Sequence, residues 1–160
     1  WRWDETKIED PASPSLRRLA LATTAVIFVQ LMLGAAFRHN AVGIHAHLAG
    51  AGAVTLSAAW VLRRVLTKYA QDPRLKRPAV ILGALVLLQL FLGITSYLMK
   101  LEARDAPQPL PPVVAVTTLH VAAGALALAA SVVLTLYVYR LVAAPRKAPA
   151  IASAPQNAAI

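Results

Sequence analysis

Four long apolar runs constrain this chain more than any other feature of its sequence, because none of them contains an aspartate or a glutamate. A helix needs about 20 apolar residues to cross the hydrocarbon core of a bilayer, and each run is long enough. Charged residues make up 14% of the chain, whereas they make up about a quarter of a soluble domain. The sequence therefore predicts an all-α fold, a four-helix transmembrane bundle with spans at residues 19–37, 43–62, 78–99 and 113–139.

A repeated pair of phrases divides the four runs into two similar halves. The first run contains Gln30-Leu-Met-Leu-Gly34, and the third contains Gln89-Leu-Phe-Leu-Gly93. The second run contains His47-Leu-Ala-Gly-Ala-Gly, and the fourth contains His120-Val-Ala-Ala-Gly-Ala. We therefore predict two repeated helical hairpins, related by an axis along the membrane normal, with the two histidines on opposite sides of the bundle axis.

Positive charge is concentrated in the segments that such a bundle places on one side of the membrane. All 16 lysines and arginines precede the first run, lie between the second and third or follow the fourth, except Arg38, Lys100 and Arg104. Cytoplasmic loops carry this excess, so we expect a multi-pass protein of the cell (inner) membrane with both termini in the cytoplasm. The net charge of +9 is then assigned to contact with membrane lipid and not to nucleic acid.

Composition also predicts where the membrane domain begins and ends. Residues 1–15 are polar and interrupted by proline, which predicts a cytoplasmic lead-in. Residues 16–142 form the four-helix domain, and residues 143–160 are rich in alanine and proline, which predicts a disordered tail. Ser15 is expected to cap the first helix, and Pro78 is expected to begin the third.

The residue types in and between the runs exclude several kinds of site. The chain has no cysteine, which excludes iron–sulfur clusters and Cys-based zinc sites. No acid lies inside a span, which removes an intramembrane carboxylate base. His45 and His47 are two residues apart, so on a helix they point about 200° apart and cannot share one ligand face. We interpret His39 and His45 as interfacial polar residues.

The two repeated histidines are the strongest functional signal in the sequence. Two imidazoles that face each other across a cavity of small residues suit the axial ligation of one haem iron. Gly50 and Gly124, about one turn from the histidines, would leave bare backbone for the macrocycle. We therefore predict a bis-histidine haem b site with His47 and His120 as the metal ligands. The alternative is that the histidines serve helix packing or a proton relay.

Two amides and a cation complete the predicted cofactor site. Gln30 and Gln89 lie in hydrocarbon, where an amide needs a hydrogen-bond partner on a neighbouring helix or on a ligand. For Gln30 taken alone, a bond to a neighbouring helix beside a close-packed glycine is the favoured interpretation. Arg38, Lys100 or Arg104 would pair with haem propionates at the outer surface, or would act only as interfacial anchors.

In their order, these phrases resemble the haem A synthase family of cytochrome oxidase assembly proteins. The likeness lies in Gln-Leu-Met-Leu-Gly-Ala-Ala-Phe-Arg38-His, His47-Leu-Ala-Gly-Ala, Gln89-Leu-Phe-Leu-Gly and His120-Val-Ala-Ala-Gly-Ala-Leu, and it covers roughly residues 16–142. The resemblance implies two similar four-helix halves, each with a histidine pair. One half is associated with haem O, whose ring methyl is oxidised to a formyl group to make haem A, and the other binds a b-type haem for electron transfer.

The chain departs from the half of the family that is tied to catalysis. That half carries an acid three residues before its first histidine and an arginine directly after it, whereas this chain has Ile44 and Leu48. The resemblance therefore implies the cofactor half of an oxidoreductase, partnered by a second four-helix half or by another copy in a homodimer. Haem O and the enzyme that supplies it are further implied partners. A start at Trp1 without methionine agrees with a fragment of a longer protein.

Two other functions stay open on the sequence. A small membrane cytochrome b would pass electrons from quinol to an acceptor, although electron relay across a membrane usually uses two haems and the chain has one histidine pair. A non-haem assembly scaffold would use the histidines for packing alone. The colour of the purified protein separates the scaffold from both haem proteins.

Overall fold

The computed structural model describes residues 7–107 and 110–144, and four α-helices account for most of this part of the chain. They are α1 (Leu16–Arg38), α2 (Ile44–Lys68), α3 (Pro73–Glu102) and α4 (Pro111–Leu141). Each helix is long and apolar enough to cross a membrane. The predicted all-α, four-helix membrane fold is confirmed, and the protein is a multi-pass membrane protein.

The start of α3 differs from the prediction, whereas the start of α1 agrees with it. The Ser15 hydroxyl accepts a hydrogen bond from the Arg18 N–H and caps α1. The third helix begins at Pro73, with the Asp72 carboxylate as its cap, so Pro78 lies inside the helix instead of starting it. An acidic cap followed by proline at the first helical position is a stronger start signal than proline alone.

The four helices form a ring in which each packs against two neighbours. Helix α1 packs against α2 and α4, and α3 packs against the same two helices. In the described part of the chain, α1 does not contact α3 and α2 does not contact α4, so these pairs lie diagonally across the bundle. We call the end that holds Leu16 and Leu141 the terminal end, and the end that holds the α1–α2 and α3–α4 connections the far end.

The packed apolar core lies in the terminal half of this ring. Its buried members fall within residues 16–27, 58–69, 75–86 and 127–142, which are the parts of the four helices nearest the terminal end and the residues just beyond them. Leu16, Val61, Leu75 and Val138 are among those with no measurable exposure. Between helices in lipid, such close packing replaces the hydrophobic effect as the stabilising term.

The predicted lead-in packs against the terminal end wherever the structure describes it. The Ile8 N–H donates to the Leu141 carbonyl at 2.8 Å, and the Ala143 N–H donates to the Ile8 carbonyl at 2.9 Å. The Asp10 carboxylate lies 3.8 Å from the Arg64 guanidinium. Residues 7–15 are therefore part of the bundle's end. Most of the predicted tail, residues 145–160, lies outside the described residues, as do residues 1–6.

Burial also affects a tyrosine at this end. Tyr69 follows the last residue of α2 and is 6% exposed. Burial, and then the neighbouring Asp10 carboxylate, raise the pKa of Tyr69 to about 12. The terminal end therefore combines close packing, backbone pairing and buried polar groups.

Candidate cofactor site in the far half of the bundle

In the first hairpin, the amide of Gln30 on α1 reaches across to His47 on α2. The Gln30 Nε2 atom donates to the His47 backbone carbonyl at 3.0 Å and lies 3.1 Å from His47 Nδ1. An amide nitrogen carries two protons, so it can donate to both atoms. The interpretation of Gln30 as a helix-to-helix hydrogen bond therefore matches the structure.

The second hairpin repeats half of this arrangement. The Gln89 Nε2 atom donates to the His120 backbone carbonyl at 2.6 Å. The Nδ1 atom of His120 is buried and has no hydrogen-bond partner among the described residues, and the same is true of Gln30 Oε1. The repeat therefore places both amides on histidine carbonyls, but it leaves the two imidazoles with different surroundings.

Each imidazole lies against a glycine of the partner helix. A Cβ atom added at Gly34 would lie 3.1 Å from Cε1 of His47, and a Cβ atom at Gly93 would lie 3.1 Å from Cε1 of His120. Such contacts are tighter than ordinary side-chain packing, so these positions bring the ring close to bare backbone. Sequence reasoning placed both glycines in the repeated Gln phrases but did not assign them to the imidazoles. Their recurrence four residues after each glutamine was the available signal.

The glycines that were assigned to the cofactor have different neighbours in the structure. A Cβ atom at Gly50 would clash with Gln30 Oε1, and one at Gly124 would lie 3.0 Å from Leu31 Cδ2 and 3.5 Å from Gln89 Nε2. The expected bare backbone beside the histidines is thus covered by glutamine side chains, because the amides need partners on the facing helix. The assignment of Gly50 and Gly124 to a cofactor stays a prediction.

The two histidines lie on diagonal helices, in the half of the bundle away from the packed core. His47 on α2 and His120 on α4 are both half-buried. The ring of Phe37 stacks on His47, with the ring centroids 6.1 Å apart and the planes at 10°. His45, on the same helix as His47, is exposed, as expected for an interfacial residue.

The two imidazoles of His47 and His120 suit a metal such as haem iron, which the porphyrin already coordinates in part. Among the described residues, no three histidine, cysteine, aspartate or glutamate side chains lie together as a metal site. A haem takes only axial ligands from the protein, so His47 and His120 would suffice. A ligating imidazole donates its second N–H to an acceptor. The Nδ1 atom of His120 is buried without a partner among the described residues and is free to carry that proton, whereas His47 Nδ1 lies beside the Gln30 amide nitrogen, which is itself a donor.

Two exposed cations line a cavity at the far end. Arg38, at the end of α1, and Lys100, near the end of α3, line a cavity of about 180 Å³ together with the first turns of α4. Arg104 is exposed and does not line it. A larger cavity of about 510 Å³ lies at the terminal end, around Lys68 and Tyr69, and is remote from the histidines.

Comparison with protein-family models, with curated proteins and with solved structures gives no match for this chain. Its own residues establish a four-helix, multi-pass membrane protein. In each of its two hairpins, a glutamine and a glycine of one helix contact a histidine of the other.

Proposed function

We propose that this chain is a haem-binding membrane domain in which His47 and His120 would hold the iron of a b-type haem. One observation carries the proposal: two half-buried imidazoles occupy repeat-equivalent positions on diagonal helices. Intramembrane histidines are unfavourable enough to indicate a functional role. When bound, haem would supply a one-electron redox centre.

The protein's own residues have separate tasks in this proposal. His47 and His120 would hold the iron through their neutral imidazoles. Gln30 and Gln89 fix the backbone at each histidine through the carbonyl bonds already described. Because the apolar core lies in the other half of the bundle, a macrocycle in the far half would displace none of it.

The resemblance to haem A synthases supports a role for this domain in haem A synthesis. On that basis the domain is the cofactor half of an oxidoreductase that supports the conversion of haem O to haem A for terminal oxidase assembly. Ile44 and Leu48 stand where the catalytic half carries an acid and an arginine, so a second four-helix half or a second copy would carry the reaction. Reduction by quinol without haem O turnover by the complete assembly would instead indicate a small cytochrome b.

The same proposal places the protein in the cell (inner) membrane with its terminal end in the cytoplasm. Most of the lysines and arginines belong to the segments at that end, and positive segments are retained on the cytoplasmic side. Attachment of a cysteine-reactive, membrane-impermeant label tests this, because the chain has no cysteine of its own. A cysteine introduced at exposed Gln71 should be protected in intact cells, and one at exposed Asn40 should be labelled.

The test of haem ligation uses the full chain purified in detergent with added haem. We expect a six-coordinate, low-spin spectrum that is lost in both His47→Ala and His120→Ala. His45→Ala is the matched control, because His45 lies on the same helix as His47 but is exposed. A low-spin spectrum that survives in both variants would refute the assignment.

A structural role for the histidines is the second candidate function. It is favoured by the close contacts between the imidazoles and Gly34 and Gly93 and by the glutamine bonds to the histidine carbonyls. In that case the histidines serve helix packing, and the purified protein takes up no haem. Colourless protein after haem addition, with the fold intact by circular dichroism, would establish this alternative over the first.

A further inference from the structure

The far-end cavity brings two positive side chains from different hairpins to one place. Arg38 ends α1, and Lys100 lies in the last turn of α3. The other residues around the cavity belong to the first two turns of α4 and include Thr117 and Thr118. The Arg38 and Lys100 side chains are both exposed, and two positive charges that line one cavity favour an anion there.

No acid of the described chain neutralises this pair. Glu102 and Asp105 are exposed on the connection after α3, but no ion pair joins either of them to Arg38 or Lys100 within the parts that the structure describes. The two cations are therefore available to a ligand.

Hydroxyl groups of α4 add polar contacts to the cavity. The Thr117 hydroxyl already donates to the Val113 carbonyl, so it can only accept a further hydrogen bond. Thr118 makes no hydrogen bond to any residue that the structure describes, and its hydroxyl can donate to an anion.

The cavity lies about one helical turn from the candidate iron ligand. Thr117 precedes His120 by three residues and therefore shares a face of α4 with it, on the side nearer the far end. If the histidines held a ligand, the edge of that ligand nearest the far end would lie towards the cavity.

The size of the cavity limits what part of a ligand it takes. Sites that enclose a whole small molecule measure about 300–1,000 Å³, and this cavity measures about 180 Å³. It therefore fits a polar edge, such as one or two carboxylates, and not a macrocycle.

We propose that Arg38 and Lys100, one from each hairpin, bind the carboxylate edge of the haem in the far-end cavity, with the Thr118 hydroxyl as a further donor. This inference rests on the proposed function, because it orients the haem that His47 and His120 would hold. It also predicts that haem binding ties the two hairpins together at the far end, where the apolar core is absent.

The test compares haemin with its dimethyl ester, which has the same macrocycle and iron but no carboxylate charge. The full chain in detergent is titrated with each compound, and affinity is read from the low-spin absorbance. We expect Arg38→Gln and Lys100→Gln each to weaken haemin binding about 5-fold and the double variant about 20-fold, the upper end of the range for exposed charge pairs. Ester binding should stay within about 2-fold of the unchanged chain, because the ester offers the cations no charge.

Arg104→Gln is the matched control, since it removes one exposed positive charge at the same end without touching the cavity. It should leave haemin affinity unchanged, and unaltered ester binding shows that each variant is folded. Unchanged haemin affinity in the double variant, or equal losses for haemin and ester, would overturn the carboxylate site while leaving the histidine ligands in place. If neither compound gives a low-spin spectrum with the unchanged chain, the proposed function fails, and the carboxylate site fails with it.

Discussion

The terminal half and the far half of the bundle, each containing part of every helix, are held together by different interactions. The terminal half contains the packed apolar core together with the paired backbone of Ile8 and the Asp10–Arg64 contact. The far half relies on two glutamine-to-carbonyl bonds and on close contacts at glycines. The difference indicates that folding stability is concentrated in the terminal half, whereas the far half contains the half-buried histidines and the cationic cavity.

A core substitution should show this difference most strongly. Leu134 is 1% exposed in the terminal half, and we expect Leu134→Ala to lower the free energy of unfolding by about 3 kcal/mol through the cavity that it leaves. Leu92 is 9% exposed and lies outside the core cluster. We expect Leu92→Ala to lower the free energy of unfolding by about 2 kcal/mol, because a more loosely packed region can collapse around the deleted atoms. Unfolding in SDS titrations measures both values.

Leu136→Ala is the control for the core substitutions, since this side chain is 65% exposed to the surroundings of the bundle. Its effect should be close to zero. If Leu92→Ala cost more than Leu134→Ala, the far half would be the more stable region and the comparison would be reversed.

The glycine contacts of the far half should respond to a single added methyl group. Gly50→Ala drives a Cβ atom into Gln30 Oε1, and we expect it to destabilise the protein by about 2 kcal/mol through overpacking. Gly52→Ala on the same helix has nothing within 4 Å of its added Cβ, so it should be neutral or stabilise by up to about 1 kcal/mol through helix propensity. The same unfolding assay applies, and equal effects at the two positions would show that the Gln30 contact is unimportant.

Replacement of each glutamine by leucine should separate the two hairpins. Gln30→Leu removes a bond to the His47 carbonyl and a neighbour of its Nδ1 atom, whereas Gln89→Leu removes only a carbonyl bond. Polar contacts between membrane helices contribute about 0.6 to 2 kcal/mol, so we expect about 1 kcal/mol for Gln30→Leu and somewhat less for Gln89→Leu. A larger loss for Gln89→Leu would contradict the ranking.

The smallest effect concerns the pH dependence of the terminal end. Because the pKa of Tyr69 is raised to about 12, its neutral form stabilises the fold at any pH below the ordinary tyrosine value of about 10. That stability is lost as the pH rises from about 10 to about 12, with a total of up to about 1 kcal/mol after allowance for solvent screening. Denaturation followed across this pH range in the unchanged chain and in Tyr69→Phe tests the assignment, since the variant should lack this part of the pH dependence.

The helices and their caps were largely predictable because they depend on local sequence. Apolar runs without acids indicated all four spans, and Ser15 was correctly expected to cap α1. The predicted start of α3 at Pro78 was wrong, because the Asp72 carboxylate caps the helix and Pro73 begins it. Whether Gln30 would bond to its own hairpin partner or to a ligand depended on the distance between helices, which local sequence does not specify.

The sequence by itself determined the number of spans, the repeat and the chemistry available inside the membrane, since these follow from residue type and spacing along one helix. Only the tertiary structure decided that Gly34 and Gly93 face the imidazoles, that Ile8 pairs with the end of α4, and that Arg38 and Lys100 line one cavity. Each of these contacts joins residues that are far apart in the chain or on different helices. Their meeting depends on how the helices rotate and slide against one another, and that arrangement is set by packing of the whole bundle.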